Sequence, residues 1–160
     1  MSSFDYAFDA LIGNEGGYVN DPRDPGGETM WGVTARVARA HGWTGGMKDL
    51  PRDTAKSIAK TVYWDPLRLD ELDAHVAFQM LDANYNGGDT VRWAQKASGA
   101  VVDGKIGEKT IAAINAVSPP VFILRFLSYR LKYLNSLKTW ASFSRGWSNR
   151  IADNMLKGAS

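Results

Sequence analysis

Apolar residues return at helical spacing along most of the chain. Phe4, Ala7, Phe8, Leu11 and Ile12 mark one face of a helix over residues 3–13. Ser2 followed by Asp5 has the pattern of a capping box at its start, and Gly16 and Gly17 stop it. Residues 18–27 read as turns. Residues 29–34 predict one short strand, with Trp31 and Val33 alternating against smaller side chains. The amino-terminal pattern is therefore one helix followed by a small β-hairpin.

The rest of the chain is helical in its periodicity. A short helix is expected over 34–41, then a loop over 42–51. Asp53 or Thr54 can cap a helix that runs through Tyr63 with Ala55, Ile58, Ala59 and Val62 inward, and Trp64-Asp65-Pro66 breaks it. Further helices are predicted over 73–84, 90–98 and 108–116. Pro119 and Pro120 open a long one over about 121–139. A last helix over 147–156 places Trp147, Ile151 and Met155 four apart. Asn84 to Gly88 is a polar turn, and a glycine-punctuated loop spans 98–110. No period repeats and no low-complexity linker divides the chain. The fold class is mainly α, a helix bundle with one small hairpin after the first helix.

Composition narrows the chemistry. With 160 residues, 44% of them apolar, the chain can bury a core without help from disulfides, and it has no cysteine. Thiolate catalysis and cysteine-ligated metals are excluded. His41 and His75 have no metal-ligand partners at sensible spacing, so neither a metal nor a cofactor is expected. No nucleophile elbow and no nucleotide-binding loop occurs. No secretory leader is read at the start. The most apolar stretch, 121–137, is interrupted by Arg125, Arg130 and Lys132. Net charge is +2 but uneven: from residue 121 onward, Arg125, Arg130, Lys132, Lys138, Arg145, Arg150 and Lys157 face Asp153 alone. Such an end suits an anionic envelope surface, or is the solvated face of two helices. It carries no nucleic-acid reading motif, so no nucleic-acid partner is expected.

One stretch carries candidate chemistry. Glu15 stands at the carboxyl end of the first helix, where the helix dipole disfavours an ionised carboxylate, and nearby apolar side chains push the same way. Both effects raise a carboxyl pKa toward the range of a general acid. Asp24 follows nine residues later beyond a turn, where a hairpin can fold it back toward Glu15. Two carboxyls in unlike surroundings are the minimum for glycoside hydrolysis, a division of labour for which lysozyme is the standard example. Asp21 and Glu28 compete with Asp24 for the second role, and ordinary turn formation explains Asp before Pro equally well.

The order of residues goes further. "EGGYVNDPRDPGGETMWGVT", residues 15–34, resembles the signature of the glycoside hydrolase family 108 muramidases, a family that includes many phage endolysins. The resemblance rests on Glu15, Gly16, Gly17, Tyr18, Asn20, Asp21, Pro22, Asp24, Gly26, Gly27, Thr29, Gly32 and Thr34. Trp31 departs from the pattern, standing where a smaller or polar residue is usual. "YWDPLRLDEL" and "FQMLDANYNGG" are similar to later parts of the same module. "VVDGKIGEKTIAAIN" resembles the loop and helix of small peptidoglycan-binding modules, with Glu108 in place of their usual proline.

What the resemblance implies is an α+β lysozyme-like fold, with a catalytic module over 1–92 and a peptidoglycan-binding-like helical segment over 93–160, packed into one globule. The expected enzyme is a monomeric N-acetylmuramidase that cuts the β-1,4 bond between N-acetylmuramic acid and N-acetylglucosamine in peptidoglycan. Glu15 is then the general acid. Asp24 holds a water or steadies the oxocarbenium-like transition state, and Thr29 helps position the water. Tyr18, Trp31, Tyr85 and Asn86 are the substrate-binding candidates, since aromatic faces stack on sugar rings and an Asn amide can bond acetamido groups. Trp64 has the same chemistry but follows an apolar helix and reads better as core. The resemblance also implies an endolysin held in the host cytoplasm until a holin or another route gives it access to the wall. A lytic transglycosylase using Glu15 alone and a non-catalytic peptidoglycan-binding protein are the alternatives.

Overall fold

The computed structural model describes residues 1–159, and for Asn14 and Glu15 the backbone alone. The described residues form a mainly α, lysozyme-like fold, with eight α-helices and a three-stranded antiparallel sheet. Contacts divide the chain into two compact units, Met1–Pro66 and Leu67–Ser160. The boundary expected at residue 92 lies within a helix of the second unit, Thr90–Ser98.

The first unit begins with α1 (Ser3–Glu15). The capping box forms as the sequence predicts: Ser2 Oγ accepts from the Asp5 amide, and Asp5 Oδ2 accepts from the Ser2 amide, both at 3.1 Å. Phe4, Ala7, Phe8 and Leu11 are all buried, as their spacing requires. The segment after α1 is a meander of three strands, β1 (Tyr18–Asn20), β2 (Glu28–Met30) and β3 (Val33–Thr34), in the order β1-β2-β3. Residues 29–34 therefore do not form one strand. Trp31 and Gly32 take positive φ, 53° and 73°, the geometry of a tight two-residue hairpin turn. A tryptophan at such a position gives no turn signal in a sequence, which is why the break is hidden.

Thr34 caps α2 (Ala35–Ala40), its hydroxyl accepting from the Val37 amide. Pro51 precedes α3 (Arg52–Ala59), which begins ahead of the expected Asp53 or Thr54 cap; it makes no side-chain cap bond. Beyond Ala59 the helix widens into a π-helical turn, Lys60–Trp64, before Pro66. Trp64 is fully buried against Phe4, ring centroids 5.2 Å apart, so it belongs to the core and not to a binding surface.

The second unit is organised on α4 (Ala74–Tyr85), capped by Asp73 and packed by α5 (Thr90–Ser98), α7 (Pro119–Ser136) and α8 (Trp140–Gly158). Every residue of α4 from Val76 to Ala83 is buried, including Gln79 and Asp82. Between α5 and α6 (Glu108–Asn115) runs the glycine-punctuated loop. Its organiser is Gln95 of α5, wholly buried. Gln95 Oε1 accepts from the amides of Asp103 and Gly104, and Nε2 donates to Asp103 Oδ1, the Lys105 carbonyl and Thr110 Oγ1. Replacing Gln95 by Ala strands the Gly104 amide and leaves the Asp103 amide only its weaker bond to the Val101 carbonyl, so Gln95→Ala is expected to cost about 1–3 kcal/mol in urea unfolding; a change well under about 1 kcal/mol would mean that the loop finds other partners.

The last helix starts seven residues before the expected Trp147. Trp140, Phe143 and Trp147 recur at helical spacing and pack together, with centroid distances of 5.9 Å and 5.5 Å to Trp147. Gly146 inside this run obscures it in the sequence. Ile151 is buried, but Met155 is exposed, so the expected stripe covers only part of the helix. No single helix among the described residues is long and apolar enough to cross a membrane.

Candidate active site

The backbone puts Glu15 on the final residue of α1. Its carboxylate, the acid expected from the sequence, lies outside the described side chains. Gly16 follows as the helix cap. A Cβ at Gly16 would lie 2.7 Å from the Ile12 carbonyl oxygen, so a larger residue would push the chain off its exit path from the helix.

The loop between β1 and β2, "DPRDPGG", is built from two consecutive turns of the same design. The Asp24 amide donates to the Asp21 carbonyl at 2.9 Å, and the Gly27 amide donates to the Asp24 carbonyl at 3.0 Å. In each turn the aspartate side chain also accepts from the amide two residues on: Asp21 from Arg23 at 2.9 Å, Asp24 from Gly26 at 2.8 Å. Pro22 and Pro25 supply the fixed φ that such turns favour at the second position.

The two turn aspartates then differ. Asp21 is additionally gripped by the Arg23 guanidinium, which donates to both of its oxygens. The guanidinium bonds, reinforced by the Arg23 amide, hold the Asp21 carboxyl below its ordinary range. Asp24 is exposed, and among the described residues only its Oδ1 is engaged, by the Gly26 amide. Of the two, Asp24 keeps an oxygen available to a ligand.

Glu28, the third contender, begins β2 and is half-buried. Tyr18 on β1 pairs with Met30, and its hydroxyl reaches diagonally across the sheet to donate to Glu28 Oε1 at 2.9 Å. Lys48 lies over the Tyr18 ring, 4.9 Å from its centroid. The bond to Glu28, partial burial and the Glu28 charge all favour the neutral phenol, so the Tyr18 pKa is raised above 10.0. Glu28→Gln removes the charged acceptor and should lower that pKa toward the ordinary tyrosine value, read as an ultraviolet titration difference against Tyr18→Phe. The sign also fixes the stability effect. A raised folded-state value contributes stability that is fully present below about pH 10 and is lost as pH rises through the folded value.

Thr29 sits at the centre of β2, paired with Val19 on one side and Thr34 on the other. Trp31 is half-buried at the β2–β3 turn, and its indole nitrogen donates to the Leu50 carbonyl at 2.9 Å. Tyr18, Glu28, Thr29, Asp24 and Trp31 therefore all belong to one small sheet and its loops, directly after Glu15.

Tyr85 and Asn86 belong to the second unit, at the end of α4. Asn86 is exposed, yet both ends of its amide are engaged: Nδ2 donates to the Asp82 carbonyl at 2.8 Å, and Oδ1 accepts from Arg150 Nη1 at 2.5 Å. Behind it lies a buried polar cluster that the sequence did not announce. Asp82 Oδ2 accepts from Arg130 Nη1 at 2.6 Å and from Asn154 Nδ2 at 2.8 Å, and Gln79 Nε2 donates to the Asn154 carbonyl. Arg130 and Arg150 are thus turned inward, leaving Lys132, Lys138 and Arg145 among the exposed cations of the basic end. A signal for Arg130 did exist. It falls four residues after Phe126 and four before Leu134, on the buried stripe of α7. Among the described residues no cluster of three or more His, Asp or Glu is arranged to hold a metal ion.

Comparison with known proteins agrees with this architecture. No curated protein sequence matches the chain. The solved structure of Brucella abortus SagA superposes with a TM-score of 0.88 at 31% identity, covering 98% of this chain and 94% of that one. The family model for glycosyl hydrolase 108 matches residues 8–88, from α1 through the sheet to the turn that follows Asn86. The chain belongs to glycosyl hydrolase family 108.

Proposed function

We propose that this glycoside hydrolase is an N-acetylmuramidase acting on bacterial peptidoglycan. The observation that carries the reading is the end of α1: in a family 108 chain, the helix stops on Glu15 and leads directly into a sheet whose first loop presents Asp24 with one oxygen that no described residue engages. Glu15 donates its proton to the glycosidic oxygen as the bond to C1 breaks. Asp24 offsets the positive charge growing on the ring or orients the water that adds at C1, with the Thr29 hydroxyl as a second contact to that water. Tyr18 and Trp31 supply aromatic faces for sugar rings. Asn86 retains one N–H and one lone pair beyond those already used, which suits it to an acetamido group, and Tyr85 is its aromatic neighbour. The helical segment over 93–160, with its exposed cations, would hold the anionic wall or envelope. Access to the wall in the manner of an endolysin, through a holin or another export route, completes the proposal.

The test is product analysis. Purified peptidoglycan digested by the protein should release fragments with reducing N-acetylmuramic ends, identified by mass spectrometry. Products ending in 1,6-anhydromuramic acid would reassign the enzyme as a lytic transglycosylase. Binding to the wall without any release would reduce it to a binding protein.

A further inference from the structure

Asn86 is exposed, but its amide is not free to choose its orientation. An isolated amide can rotate by half a turn and exchange its oxygen for its nitrogen. Here Arg150 offers only donors and the Asp82 carbonyl only an acceptor, and each meets the matching end of Asn86. A flipped amide would set N–H against a guanidinium and C=O against C=O. Arg150 comes from α8 and is itself anchored. Its side chain is only 17% exposed, and its Nε lies 4.0 Å from Oδ1 of the fully buried Asp82. Asp82 is fixed in turn by Arg130. A chain of charge-assisted contacts therefore runs from the interior of the second unit to one surface amide.

We propose that Arg150 is a positioning residue that makes Asn86 selective for N-acetylated over de-N-acetylated wall glycan. The inference rests on Asn86 being a sugar contact. Held in this orientation, the remaining Nδ2–H is the donor for an acetyl carbonyl. The Asn86 oxygen, the atom that would attract the ammonium of a de-N-acetylated sugar, already lies against a guanidinium. An incoming ammonium meets a like charge there. One side chain thus sets the donor outward and repels the wrong sugar.

The experiment measures binding of two soluble probes, the tetramer of N-acetylglucosamine and the tetramer of glucosamine, to a Glu15→Gln protein that cannot turn them over. The preference for the N-acetylated tetramer should fall by about tenfold on Arg150→Met, the scale of a hydrogen bond to a charged group. Arg150→Lys, which keeps a cationic donor, should restore part of it. Asn86→Ala should remove the preference to a similar extent, and adding Arg150→Met to Asn86→Ala should change nothing more. Equal weakening for both tetramers on Arg150→Met, or effects that add in the double variant, would overturn the positioning role while leaving Asn86 as a contact. An unchanged preference in Asn86→Ala would remove Asn86 from the site and the proposal with it. Failure of the Glu15→Gln protein to bind either tetramer would overturn the sugar-binding reading itself. Melting temperatures of each variant separate loss of fold from loss of selectivity.

Discussion

Glu15→Gln is expected to lower the rate of peptidoglycan hydrolysis by about 10²–10⁴-fold, the range that a positioned general acid contributes. The substitution keeps the shape of the side chain and removes only the acidic proton. A glycosidic oxygen is a poor leaving group unless it is protonated as the bond breaks, and an amide cannot supply that proton. Position gives the argument its force. α1 ends on this residue, where the unpaired carbonyls of the last turn make a carboxylate less favourable and a carboxylic acid more so. Folding should be unaffected, because α1 is held by its Ser2–Asp5 cap and by Phe4, Phe8 and Leu11. Asp24→Asn should cost less than Glu15→Gln, since the amide keeps a polar contact to water but loses the charge that balances the transition state. Reducing-end release from purified wall, measured beside circular dichroism of each variant, decides the matter. A folded Glu15→Gln protein with wild-type activity would remove Glu15 from the chemistry.

The parts of this molecule that could be read in advance are those governed by local rules. The Ser2–Asp5 box, the glycine stop after Glu15 and the bounds of α5 all follow from contacts within a few residues. So does the "DPRDPGG" loop, whose aspartates and prolines act on their own backbone. What escaped the sequence depends on partners far along the chain. Trp31 tolerates its positive φ in a turn whose indole is anchored to Leu50. Gln95 looks like one more polar residue on a helix until the loop eight to ten residues later closes over it. Arg130 and Arg150 count as surface charge in any composition, yet both are directed at Asp82, some fifty to seventy positions earlier. The candidate site divides in the same way. Its amino-terminal half was legible as a motif, whereas the support behind Asn86 depends on tertiary pairing alone.

That support should be costly to break, and the geometry ranks the costs. Asp82 is completely buried and receives Arg130, Asn154 and the charge of Arg150. Asp82→Leu would leave two guanidinium groups and an amide without their common acceptor, and it should destabilise the protein by about 3–5 kcal/mol, the scale for removing one partner of a buried ion pair. Arg130→Met should cost less, because the carboxylate it abandons keeps Asn154 and Arg150. The pair of variants therefore tests which residue is the hub, and not merely whether a salt bridge exists. Joining them as Asp82→Leu/Arg130→Met should recover part of the loss of the first. The double variant strands one cation fewer and adds apolar contact between α4 and α7. Full recovery is not expected, since Arg150 and Asn154 still face leucine. Urea unfolding followed by far-ultraviolet circular dichroism gives the three free energies, with the slope checked for two-state behaviour. If Arg130→Met proves the more damaging single change, the hub is the arginine. If neither moves stability by 1 kcal/mol, the cluster is hydrated and adds little to the fold.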